Sequence, residues 1–107
     1  MIKNKKTQPK VVSFERSAEY YYLKYQRQMD KGAYLDALDC LRTAVRKEPD
    51  NCAYQLALAE FYTEINYFEE SNYRVLEAMR RMPGEEGRTL FLLGCNFFGM
   101  REEQKAQ

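Results

Sequence analysis

From about residue 13 onward the apolar positions of this chain recur at intervals of three and four, and the strict alternation of a half-buried strand is absent. Phe14, Ala18, Tyr21, Tyr25 and Met29 form one such stripe, and Tyr34, Ala37 and Leu41 form the next. Residues of high helix propensity dominate throughout. Breaks fall at Gly32, Pro49, Asn66, Pro83-Gly84 and Gly99. They predict helices over about 13–30, 34–47, 52–65, 68–81 and 87–98, with a sixth from about 102 onward. Ser13 is the expected N-cap of the first. Connections this short lay consecutive helices antiparallel.

The pattern repeats. A shift of 34 residues lays Gly32 on Asn66, Tyr34 on Phe68, Ala37 on Ser71, Leu41 on Val75, Ala44 on Ala78 and Pro49 on Pro83. Each pair keeps its size and polarity class or its turn role. Small residues at Ala37 and Ser71, in the first turn of a second helix, let that helix approach its neighbour closely. Pro49 and Pro83 stop the second helix of each pair. A helix pair cannot bury both of its faces alone, whereas stacked pairs can.

These residues resemble the tetratricopeptide repeat (TPR) family, whose helix–turn–helix units carry the pattern Trp-x-x-Leu-Gly-x-x-Tyr … Ala-x-x-x-Phe … Pro. Leu58-Ala59, Tyr62, Ser71, Val75 and Pro83 take those slots in the second unit. In the first unit Ala37, Leu41 and Pro49 fit and Tyr21 stands in for the Trp, while Lys24-Tyr25 and Gln28 depart from the pattern. That first helix is read as a cap. In the third unit Leu90, Leu93-Gly94 and Phe97 match if the loop is one residue longer, and the same shift puts Ala106 in the small slot of a following helix. The resemblance implies an all-α, right-handed superhelical array of antiparallel helix pairs, about two and a half repeats, with units near 18–51, 52–86 and 87–107. Leu90-Phe91-Leu92-Leu93 is apolar on every face, and the helix expected to cover it would begin where the chain ends. The chain therefore reads as an N-terminal piece of a longer array, or as a short protein whose open end is covered by a second copy. Pentatricopeptide RNA binders fit less well, because the Ala and Pro slots follow the 34-residue pattern.

In the TPR family the first helices of the units line a concave groove that holds a peptide or a partner helix. Helical spacing places Tyr22, Gln26, Met29, Leu56, Glu60, Thr63, Phe91, Cys95 and Phe98 on faces turned away from the core stripe. Tyr22, Met29, Leu56, Phe91 and Phe98 are the expected apolar anchors, and Glu19, Glu60 and Glu64 favour a basic partner. On this reading Leu56→Lys weakens partner binding without unfolding the chain. Family members that clamp acidic chaperone tails use Lys, Arg and Asn in the groove. The corresponding Tyr22, Gln26, Ala57, Arg88 and Leu92 mostly do not match, so such tails are not expected to bind.

Composition narrows the function further. The 107 residues allow a single domain, and 45% hydrophobic with 31% charged residues is ordinary for a globular chain. There is no histidine, which removes His-based triads and metal sites. The net charge is +1, so no global field attracts nucleic acid. Residues 1–10 carry four lysines and no acid, and 1–12 read as a basic disordered tail whose few phosphate contacts would be weak. Cys40, Cys52 and Cys95 form no Cys-x-x-Cys pair and read as reduced thiols in a cytoplasmic protein. No apolar stretch is long enough for a signal peptide or a membrane span. The adjacent carboxylates Glu69-Glu70, Glu85-Glu86 and Glu102-Glu103 diverge on a helix and suit no acid–base pair. The expectation is a non-enzymatic protein-binding module with no cofactor and no metal. The alternative is a structural segment that self-associates through an open end at Phe91, Leu92, Phe97 and Phe98.

Overall fold

A computed structural model describes residues 16–81, 84 and 86–106. Among these residues all regular structure is helical: α1 (Ala18–Lys31), α2 (Tyr34–Lys47), α3 (Cys52–Glu64), α4 (Phe68–Arg81) and α5 (Glu86–Ala106). The helix α1 packs on α2, α3 on α4, and α5 on both α3 and α4, while α2 joins the two pairs by packing on α3. The basic tail, Ser13, Phe14 and Pro83 lie outside the described residues.

The middle helices end where the breaks predict. The start of α1 is a correction: residues 16 and 17 are not helical, and the N-cap is Ser17, whose Oγ accepts the Tyr20 N–H at 3.1 Å. The turns reproduce the 34-residue period at the level of single hydrogen bonds. After α1, the Ala33 N–H donates to Gln28 O (2.9 Å) and the Gly32 N–H to Met29 O (3.0 Å). After α3, the Tyr67 N–H donates to Tyr62 O (2.8 Å) and the Asn66 N–H to Thr63 O (3.1 Å). Both turns need a left-handed residue, and Gly32 (φ 77°) and Asn66 (φ 65°) supply it. Glycine adopts that region freely, and asparagine is among the few other residues that tolerate it.

Burial follows the same period. Ala37 and Ser71, Leu41 and Val75, and Ala44 and Ala78 are all fully buried. Tyr34 and Phe68 break the correspondence, since Tyr34 is exposed and Phe68 is buried. The cover over Phe68 is α5. A Cβ on Gly99 would lie 2.3 Å from Cζ of the Phe68 ring, so the ring already fills that space. The helix α3 ends at Glu64 and offers Tyr34 nothing comparable.

This contact overturns the predicted break at Gly99. The helix α5 runs without interruption through 21 residues, and Gly99 serves the close approach of α4 and α5 rather than a helix end. No separate helix begins at 102, and Ala106 lies on the same helix as Leu90 instead of in a following one.

Two apolar clusters form the core. One joins α1, α2 and α3 through Ala18, Leu41, Ala44, Tyr54, Leu58 and Phe61, and the other joins α3, α4 and α5 through Leu56, Ala59, Val75, Ala78 and Leu92. The helix α3 belongs to both, which is why most of its side chains are buried. No helix among the described residues is long and apolar enough to cross a membrane.

Candidate partner-binding groove

Between α1, α3 and α5 lies a cavity of about 650 Å³. Tyr25 and Met29 form its α1 side, Phe61 and Thr63 its α3 side, and Phe91, Leu92 and Cys95 its α5 side, with Tyr34 contributed by the start of α2 and Ile65 by the turn after α3. Glu60, Glu64 and Arg88 add charge to the wall. Phe91 is 70% exposed, so a large apolar side chain faces solvent within reach of other apolar groups.

Five of the predicted groove residues come together here: Met29, Glu60, Thr63, Phe91 and Cys95. The others do not. Leu56 is 1% exposed and packs with Val75 and Leu92, so it is a core residue and not an anchor. Val75 of α4 and Leu92 of α5 cover it, although Ala53 and Glu60, one turn away on either side, reach solvent. Tyr22 is half-buried and stacks on Tyr54 at 4.8 Å between centroids, which joins α1 to α3. Gln26 and Phe98 are exposed but do not line the cavity. Leu92, expected at an open end, is buried in the second core cluster. Sequence reasoning missed Tyr25, Tyr34, Phe61 and Ile65 on the wall. By spacing Tyr25 and Tyr34 fall on the core stripes, and Ile65 sits at a helix end where periodicity carries no signal.

The charge on the wall is largely settled internally. Nε and Nη2 of Arg88 both donate to Oε2 of Glu60, at 3.2 and 2.8 Å. The pair is about half exposed, so it is worth at most about 1 kcal/mol, but it removes Glu60 as a free attraction for a basic partner. Glu64 remains exposed at the wall. The Tyr25 hydroxyl has its pKa raised, first by burial and then by the nearby Tyr22 and Glu60, so it stays a neutral donor at neutral pH.

The α5 side of the groove is held by a buried polar network. The Thr63 hydroxyl donates to Oδ1 of Asn96 at 2.6 Å. Nδ2 of Asn96 donates to Oγ of Ser71 (2.9 Å) and to Oδ1 of Asn72 (2.7 Å). The Ser71 hydroxyl donates to the Ala59 carbonyl at 2.9 Å. The Thr63 and Ser71 oxygens also approach to 2.8 Å, so one of their protons is shared between two acceptors. Asn96 and Ser71 are fully buried. Side chains of three helices thus satisfy one another, and any axial slip of α5 would leave buried polar groups unpaired. Thr63, on the groove wall, is tied directly into this network.

Cys40 and Cys52 are buried, and the Cys40 thiol has its pKa raised, chiefly by burial, which favours the inert thiol form. No group of His, Cys, Asp and Glu among the described residues is placed to hold a metal ion. Compared with known proteins, the chain matches no family model, no curated protein and no solved structure.

Proposed function

We propose that this chain is a non-enzymatic protein-interaction module of the tetratricopeptide type, in which α1–α2 and α3–α4 are two repeat units, α5 opens a third, and the units stack in a right-handed superhelix. The groove between the three first helices takes apolar side chains of a partner peptide or helix. The observation that carries this reading is the exposed Phe91 facing Met29 and Tyr25 across a cavity of about 650 Å³, next to core residues that need no further cover. The 34-residue recurrence of turn bonds and burial supports the repeat assignment. The Glu60–Arg88 pair makes apolar fit rather than charge the main selector of the partner.

The test is a peptide-display selection with the wild-type chain and a Phe91→Lys variant in parallel. The groove reading expects peptides with two or more apolar residues at helical spacing, enriched on wild type and lost on a variant that melts at the same temperature. Equal enrichment on both proteins would refute it.

A second reading has its own observation. Leu90 and Phe97, two turns apart on α5, are 58% and 61% exposed, and a Cβ on Gly94 between them would meet nothing within 4 Å. That face suits close packing against another helix, and self-association through it is the alternative. Sedimentation equilibrium should then show a concentration-dependent mass that Phe97→Glu abolishes. A monomer at every concentration leaves the groove reading alone.

A further inference from the structure

A second cleft, sharing no residue with the groove, lies between α2 and α4. Its volume is about 360 Å³, and Arg42 and Arg46 of α2 and Arg74 and Arg81 of α4 line it around the buried Gln55 of α3. The whole chain carries a net charge of only +1, so four guanidinium groups on one small cleft are a local concentration.

The four arginines are not equivalent. Arg81 is compensated: it pairs with Asp50, and its Nε donates to Glu77 at 3.3 Å. Glu77, the carboxylate of this cleft, also accepts from Arg80 at 2.8 Å and so is already shared. Arg46 donates to the Thr43 hydroxyl, a neutral acceptor, at 3.2 Å. Nη1 of Arg74 donates to Oε1 of Gln55 at 3.3 Å, and its guanidinium lies 5.0 Å from the centre of the Tyr73 ring. Gln55 is held in turn by its Nε2 donating to the Pro49 carbonyl at 2.9 Å. Arg74 is therefore positioned by an amide and an aromatic ring, not by an acid. Among the described residues no carboxylate pairs with Arg42, Arg46 or Arg74.

Three uncompensated guanidinium groups in one concavity repel one another, and a multiply charged anion relieves that repulsion. Guanidinium forks match phosphate oxygens in bidentate geometry. A phosphate monoester carries a charge of about −1.5 to −2 at pH 7 with three acceptor oxygens, whereas a carboxylate carries a single charge. A nucleic acid backbone needs cations in a row, and here the Glu77 carboxylate lines the cleft and Asp50 neutralises Arg81. We propose that the cleft between α2 and α4 binds a phosphate monoester dianion, with Arg42, Arg46 and Arg74 as its cationic contacts. The source is either a phosphorylated side chain of a partner or a free monoester.

The test titrates phosphotyrosine, phosphoserine, a phosphotyrosine peptide and inorganic phosphate into the full chain, followed by NMR of the arginine Nε–H groups. Sulfate, acetate and a single-stranded oligonucleotide serve as comparisons. Saturable shifts at Arg42, Arg46 and Arg74 are expected, weakened by about tenfold or more in Arg42→Gln/Arg74→Gln. Arg16→Gln/Arg27→Gln removes the same charge outside the cleft and should retain binding. Circular dichroism checks that both variants are folded. The chain has no histidine, so binding should weaken as pH falls through about 6, where the ligand itself takes up a proton. Tighter binding of a phosphopeptide than of the free amino acid or inorganic phosphate points to a modified partner, and equal binding points to a free ligand. Equal loss in the two double variants, equal binding of sulfate without pH dependence, tighter binding of the oligonucleotide, or no saturation would each overturn the proposal.

Discussion

The helices α3 and α5 have nearly the same kind of sequence and opposite surroundings. Both are apolar around most of their circumference, a pattern that a helix tolerates when it is buried on several sides. In α3 most of the circumference is covered: α2 and α4 pack on it, α5 closes a further side, and Tyr22 of α1 stacks on Tyr54, which leaves Ala53 and the groove-wall residues Glu60, Thr63 and Glu64 as the ones not buried. In α5 only the side toward α3 and α4 is covered, and Leu90, Phe91, Phe97 and Phe98 are exposed. The two helices carry small residues at matching points, Ala59 and Gly94. Ala59 is sealed, and its carbonyl accepts the Ser71 hydroxyl, while Gly94 faces open space. An all-round apolar helix thus records a demand for neighbours, and the neighbours decide whether its residues become core or exposed surface.

The sharpest way to break this comparison is to put the same charge on both helices. Leu56→Lys places an ammonium in the covered core of α3 and should cost about 4 kcal/mol or more. Phe91→Lys, on the open side of α5, should change stability by less than about 0.5 kcal/mol. Urea denaturation of the two variants checks both values, and similar losses would mean that α5 is as enclosed as α3.

The next effect concerns what holds α5 in register. Asn96→Ala strips partners from the Thr63 and Ser71 hydroxyls and from Asn72, and should cost about 2 to 3 kcal/mol by thermal melting. A value near zero would show that packing alone sets the register.

Two glycines of the same helix should respond with opposite signs. Gly99→Ala drives a methyl group into the Phe68 ring and should destabilise by about 1 to 3 kcal/mol, partly offset by the better helix propensity of alanine. Gly94→Ala meets nothing and should stabilise by up to about 1 kcal/mol. Matching signs would remove the distinction between the covered and open sides of α5.

The smallest effect is on pH dependence. The Tyr25 and Tyr54 hydroxyls both have their pKa raised, in each case mainly by burial. The folded state therefore holds these protons more tightly than the unfolded chain, and their contribution is complete below the ordinary tyrosine pKa and lost as pH climbs above about 10. With no histidine in the chain, the melting temperature should be level from about pH 6 to 9 and fall beyond 10. Tyr25→Phe/Tyr54→Phe should make that fall shallower.

The helices of the middle of the chain were legible because their signals are local. Gly32 and Asn66 stand at left-handed turns and Pro49 follows the end of α2, each for a reason of backbone sterics that acts within a few residues. The 34-residue repeat was legible for a related reason, since small and large positions at fixed spacing reflect how one helix meets its immediate neighbour. The same local logic misread Gly99. Its meaning lies in Phe68, a residue 31 positions earlier, whose ring leaves no room for a side chain there. It misread Leu56 as well, because helical spacing identifies faces but cannot count the helices that will cover them. The polar network around Asn96 joins three helices, and nothing in the order of residues places Thr63, Ser71 and Asn96 together. Secondary structure and repeat period follow from interactions between near neighbours along the chain. Which apolar face becomes a groove, and which arginines share a cleft, follow from contacts between distant segments that only the folded arrangement of the helices creates.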